Sequence, residues 1–179
     1  MIKYRDGENV ENFIDKLSSY NIFNYLFPGV LFCVIADRYF FIPLVQDSIV
    51  TGLFLYYFVG LVISRFGSLV LEPIMKRLKI VKFSEYSDFI NAVKSDPKIE
   101  ILSETNNMYR SVLSALLLLC FVVIGKSIIE IFDSLESYIK YAIFPILVVL
   151  LGFSYKKQTS YIVKRIEASK DKSVDKVKN

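Results

Sequence analysis

The chain has 179 residues, 54% of them hydrophobic, and a formal net charge of +4. Soluble domains average about 45–50% apolar residues with glycine included, so a mean hydropathy of +0.43 excludes an ordinary water-soluble fold. The chain has no histidine, which excludes Ser-His-Asp and Cys-His catalysis and a His-ligated metal. Cys33 and Cys120 both lie inside apolar runs and suggest neither a zinc site nor a disulfide framework.

Residues 1–21 place Val10, Phe13, Ile14 and Leu17 at i, i+3, i+4 and i+7, the stripe of an amphipathic helix. This helix is expected on the cytoplasmic side, as a cap on the bundle or on the membrane surface. Lys3, Arg5, Asp6, Glu8, Glu11, Asp15 and Lys16 mix both signs of charge, unlike the compact positive start of a signal peptide. The following apolar run is therefore read as a retained helix.

Four apolar runs follow: residues 22–36, extendable to 45; 49–71; 111–125, extendable to 132; and 138–155. A bilayer core needs about 20 mostly apolar residues in a helix. The second run meets this directly. The others meet it when a charged residue near one end snorkels to the interface. The expectation is an all-α, four-helix transmembrane bundle, with transmembrane helices 1 and 2 in residues 22–71 and helices 3 and 4 in residues 110–156. Pro28 lacks a backbone donor, so a kink or a late helix start is expected there.

Residues 72–109 form the long connection and read as a small helical cytoplasmic region. Ser84 is a candidate cap for a helix over residues 85–94 with Tyr86, Phe89, Ile90 and Val93 on its apolar side. Asp96-Pro97 reads as an N-cap followed by proline. No glycine or proline interrupts the chain from there to Ser111, so a stalk running into the third membrane helix is expected. The segment is too small to build its own core. Residues 157–179 form a basic tail, helical at first and polar from Lys170 onward, which solvent, anionic lipid or a partner protein would accommodate.

Charge sets the expected orientation. Nineteen of the 22 Lys and Arg residues lie before the first run, in the stretch from Arg65 to Arg110, or after the fourth run; only Arg38, Lys126 and Lys140 lie on the other side. Cytoplasmic segments carry the excess of Lys and Arg, so both termini and the long connection are expected in the cytoplasm of a multi-pass inner-membrane protein. Only short turns near Gln46–Asp47 and residues 133–136 would face outward, which leaves no room for an extracellular ligand-binding domain.

Three residue sets are candidate sites. Gly60, Ser64 and Ser68 repeat at i, i+4 and i+8, with Gly67 beside them; small residues let helix backbones approach closely, within one subunit or between two. Asp37, Arg38, Lys126 and Glu130 form a charge set toward the outer leaflet, where ionisable groups act as a structural clamp, lie at the interface or mark a polar pathway. Tyr86, Phe89, Lys164 and Arg165 are the candidate partner-docking residues. No phosphate loop, paired catalytic carboxylates, filter motif or metal-ligand set is present in the sequence. An enzyme, a cofactor and direct nucleic-acid binding are therefore not expected.

The layout resembles small membrane subunits of bacterial anti-phage defence systems, and among them the Kiwa type. The likeness covers the short length, four helices, cytoplasmic termini and nearly bare outer face. The most distinctive string in the chain is Asn24-Tyr25-Leu26-Phe27-Pro28-Gly29. The resemblance implies an oligomeric inner-membrane sensor that docks a cytoplasmic effector, and it assigns no functional residue. The alternative from the residues alone is a small channel or pore-forming effector working through the outer charge set.

Overall fold

The computed structural model describes residues 19–131 and 135–175, with side chains described over 20–128 and 141–167. The helix expected at residues 10–17 and the side chain of Glu130 lie outside these. Among the described residues every regular element is helical. Helix α1 spans residues 19–40 and α2 runs Ile49–Arg77. A short helix α3, Tyr86–Ser95, precedes the two longest elements, α4 at Lys98–Ile131 and α5 at Leu135–Asp175.

Three helices are long and apolar enough to cross a membrane: Ile22–Phe40, Ile49–Arg77 and Lys98–Ile128. The most apolar windows of these helices are only 33%, 22% and 22% buried within the chain. Large apolar side chains such as Phe54, Phe58, Ile124, Phe144 and Val148 point outward. The interior holds Asn24, Ser64, Ser68, Glu72, Ser111, Ser114 and Ser154 beside the apolar Tyr25, Leu26, Cys33, Ala36, Ile63, Leu71, Ala115 and Leu119. Large apolar side chains outside and a mixed interior suit a lipid surround, which offers no hydrophobic drive toward the core. The fourth apolar run lies within α5, which is continuous from Leu135 to Asp175 with Pro145 inside it.

Close helix crossings explain where the small residues fall. A Cβ on Gly29 would overlap the Tyr56 carbonyl, and one on Gly60 would overlap the Tyr25 carbonyl. Helices α1 and α2 therefore meet backbone to backbone. One turn and more along α2, a Cβ on Gly67 would strike the Ser114 hydroxyl of α4. Ser64 is buried on the same face. The expected small-residue stripe thus packs within the subunit.

Both α1 and α2 contain a π-turn, Ile22–Leu26 and Gly67–Leu71. Each is followed at its second residue by a proline, Pro28 and Pro73. A proline inside a helix lacks a donor and crowds the carbonyl four residues back. Widening the preceding turn to the i→i+5 register relieves that crowding. The Phe27 amide accordingly bonds the Ile22 carbonyl, and the Glu72 amide bonds the Gly67 carbonyl. Pro28 thus accompanies a local change of register inside a helix that has already begun at Ser19, which corrects the expected late helix start.

The connections differ from expectation in detail. Helix α2 continues past Leu71 through Arg77 and ends with Lys79 in the left-handed region at φ 59°. The Lys79 amide bonds the Lys76 carbonyl and the Ile80 amide bonds the Met75 carbonyl, the paired bonds of a Schellman ending. The expected hydroxyl cap at Ser84 is corrected by the structure: Glu85 occupies the N-cap position of α3 and makes no side-chain capping bond. Tyr86, the first helical residue, packs on Tyr161 of α5 at 6.1 Å, so a tertiary contact coincides with the start of α3. The Asp96 cap forms, its Oδ1 accepting the Lys98 amide at 3.0 Å. Helix α4 then runs unbroken into the apolar span. The tail is helical to Asp175, beyond the expected change at Lys170.

Candidate functional site

The main polar centre lies where α2, α4 and α5 converge on the side of the long connection. It is built around Glu72, whose side chain is only 8% exposed. Lys76, one turn on, reaches Glu72 Oε1 at 2.9 Å. Arg110 of α4 donates from Nη1 to Glu72 Oε2 at 2.6 Å. Lys157 of α5 approaches Glu72 Oε1 at 3.9 Å and donates to the Ser68 carbonyl at 2.6 Å and the Ser68 hydroxyl at 2.8 Å.

The π-turn explains why that carbonyl is available. In an α register Ser68 would bond the Glu72 amide, but that amide is taken by Gly67. In the π register its donor would be residue 73, a proline with no N–H. The ammonium of Lys157 supplies the missing donor, satisfying a buried carbonyl that would otherwise be left unpaired. A single sequence feature, Glu72-Pro73, thus creates both the acid at the centre and the acceptor that fastens α5.

One carboxylate serves three cations here, which leaves the cluster with an excess of positive charge. Burial pushes the Lys157 ammonium below the ordinary lysine range, with Glu72 pulling the other way. Lys157 also lies 5.8 Å from the centre of the Tyr161 ring, and Lys76 lies 4.3 Å from that of Phe83. Burial raises the Tyr161 phenol above its usual range. Tyr161 in turn stacks at a tilt on Tyr86. The cluster is therefore joined through Lys157, Tyr161 and Tyr86 to helix α3, and through Phe83 to the segment before it. A second contact nearby ties α2 to α1: Arg65 donates to the Tyr25 hydroxyl at 3.2 Å, and Tyr25 meets Tyr20 and Tyr57 edge-on.

The outer charge set is arranged differently. Lys126 donates to the Phe40 carbonyl at the end of α1, and Asp37 accepts from the Val45 amide at 3.4 Å. Arg38 is exposed. Among the described residues no ion pair joins Asp37, Arg38 and Lys126; two of them fasten backbone at the α1 terminus.

Of the candidate docking residues, Tyr86 is engaged with Tyr161, Phe89 is half-buried, and Lys164 and Arg165 are exposed on α5. Ser68 joins the charged centre. Glu72, Arg110 and Lys157 were not singled out by the sequence reading. Their signal was present: each lies at the same-side end of a different apolar run, so helices crossing in alternation bring all three to one level. No known protein family, curated protein or solved structure matches this chain. Fold and site together define an all-helical protein with helices able to cross a membrane and a charged junction at one end of its bundle.

Proposed function

We propose that the protein is an oligomeric inner-membrane subunit that registers a membrane event and holds a cytoplasmic effector, in the anti-phage setting its layout resembles. In this reading α5 provides the fourth crossing, and both termini lie with the long connection in the cytoplasm, where the Lys and Arg excess belongs.

The observation that carries this reading is the continuity of α4 and α5 beyond the apolar spans. At about 1.5 Å per residue, the first turns of α4 extend the chain by roughly 20 Å before its apolar part begins. The far half of α5 does the same. Helix α3 and the Glu72 cluster brace these extensions, so they form a shaped platform. Ile101 and Leu102 on α4, and Ile162 and Ile166 on α5, stay largely exposed on it. Exposed apolar groups on a braced polar surface suit a protein interface.

The test is purification of the tagged full chain from its native host in mild detergent, followed by mass measurement and identification of co-purifying proteins. The expected result is a defined oligomer carrying a stoichiometric soluble protein, released by Ile101→Glu with Leu102→Glu while the oligomer persists. A defined oligomer with no companion overturns the docking role and directs the next measurement to conductance. A monomer with no companion overturns the reading as a whole.

A further inference from the structure

We infer that the cavity beside Arg110 receives the phosphate group of an anionic lipid from the leaflet on the side of residues 78–97. The charge balance favours an anion there, since Arg110 and Lys157 are largely buried, at 18% and 26% side-chain exposure. Glu72 is shared by Lys76, Arg110 and Lys157, and no second carboxylate among the described residues pairs with them. An uncompensated cation at the margin of a low-dielectric bundle is unfavourable, and a phosphate at this point would offset it.

The geometry of Arg110 agrees. Its Nη1 is committed to Glu72, while its Nε is buried and has no hydrogen-bond partner. A guanidinium presents donors in a planar fork that matches phosphate oxygens, so part of this fork remains unused. Beside it lies a cavity of about 160 Å³. Arg110, Asn106, Tyr109 and the Glu72 carboxylate, which Arg110 neutralises, form its polar part, and Met75, Val81, Phe83 and Leu113 its apolar wall.

The apolar wall favours a lipid over a free anion. A soluble phosphate gains nothing from Met75 and Val81, whereas the junction of a lipid headgroup with its acyl chains has both characters. Basic pockets between membrane helices recognise anionic headgroups in this way. The site also lies at the level where the apolar spans give way to polar chain, the depth at which headgroups sit. This assignment is independent of whether an effector docks on the platform.

The experiment is native mass spectrometry of the full chain in neutral detergent, titrated with phosphatidylglycerol, phosphatidylcholine or inorganic phosphate. The expected result is preferential retention of phosphatidylglycerol. Arg110→Lys keeps a cation for Glu72 but removes the fork, and is expected to weaken phosphatidylglycerol binding about tenfold. Val81→Phe fills the cavity, leaves every charge in place and should weaken it comparably. Should Arg110→Lys lose its helical circular dichroism, Val81→Phe decides alone. Inorganic phosphate that binds with the same dependence on both variants, and as tightly as the lipid, overturns the lipid source and leaves a soluble-phosphate site. Equal retention of the two lipids overturns the preference for an anionic lipid, and phosphatidylglycerol binding unchanged in the folded variants overturns the site itself.

Discussion

Gly60 carries the sharpest test of how the helices are packed. Its hydrogen faces the Tyr25 carbonyl across the α1–α2 crossing, and any larger group must push two backbones apart. Gly60→Ala is therefore expected to destabilise the protein by about 1–3 kcal/mol, the range for forced overpacking of a well-filled interior. Gly125 on α4 is the control, because a Cβ there meets nothing within 4 Å. Gly125→Ala should be neutral or stabilising by up to ~1 kcal/mol, since alanine loses less backbone freedom in a helix. Denaturant unfolding in detergent micelles, followed by circular dichroism, checks the pair. Equal effects from the two substitutions would contradict the close crossing. At this scale the sequence was readable for the glycines and serines, whose spacing alone marks a packing face. It was less readable for Glu72, because a single acid at the end of an apolar run looks the same whether it faces solvent or three cations.

Among the elements, α3 depends most on its surroundings. Its ten residues are amphipathic, none is fully buried, and so short a helix is marginal in water by itself. It packs on both α4 and α5, on the latter through Tyr86 against Tyr161. Aromatic pairs of this kind contribute about 0.5–1.5 kcal/mol beyond their buried area. Tyr86→Ala should therefore free α3 and expose the 78–97 connection, while leaving the membrane helices in place. Limited proteolysis reads this as faster cleavage within 78–97 with unchanged total helicity. Unaltered cleavage would show that other contacts hold α3. The unbroken run of α4 was legible in advance, since Asp96-Pro97 supplies a start and nothing afterwards supplies a stop. The boundary of α3 was not, because its first residue meets a ring on α5 some 75 positions away in the chain. The π-turns stand between these cases. Pro28 announced a disturbance in α1, but the form it takes depends on how much room the neighbouring helix leaves.

For the whole molecule, the decisive property is which side of the membrane each connection occupies. On the proposed orientation, the Lys and Arg bias predicts Asp96 in the cytoplasm and Asp47 outside. This is checked with Asp47→Cys and Asp96→Cys introduced singly into a Cys120→Ser background, since Cys120 is exposed whereas Cys33 is buried. A membrane-impermeant thiol reagent applied to intact cells should label the first variant and spare the second. The reverse pattern would turn the platform outward and remove the cytoplasmic role. The helical class and the presence of helices long and apolar enough to cross a membrane were evident from composition and run lengths, because lipid demands long apolar helices with satisfied backbones. The meeting of three helix ends at one charged centre needed the three-dimensional arrangement. The attachment of α5 has a mechanical consequence. Lys157 fixes this helix to α2 near its middle, so the helix resembles a seesaw on a pivot. Roughly 30 Å of helix lies on each side of that pivot at about 1.5 Å per residue, and Pro145 supplies a softer joint in the arm that carries the apolar run. With α5 crossing the bilayer as proposed, a change in bilayer thickness that tips this arm would swing the far end of the opposite arm by a comparable distance, and the surface around Ile162 and Ile166, nearer the pivot, by less.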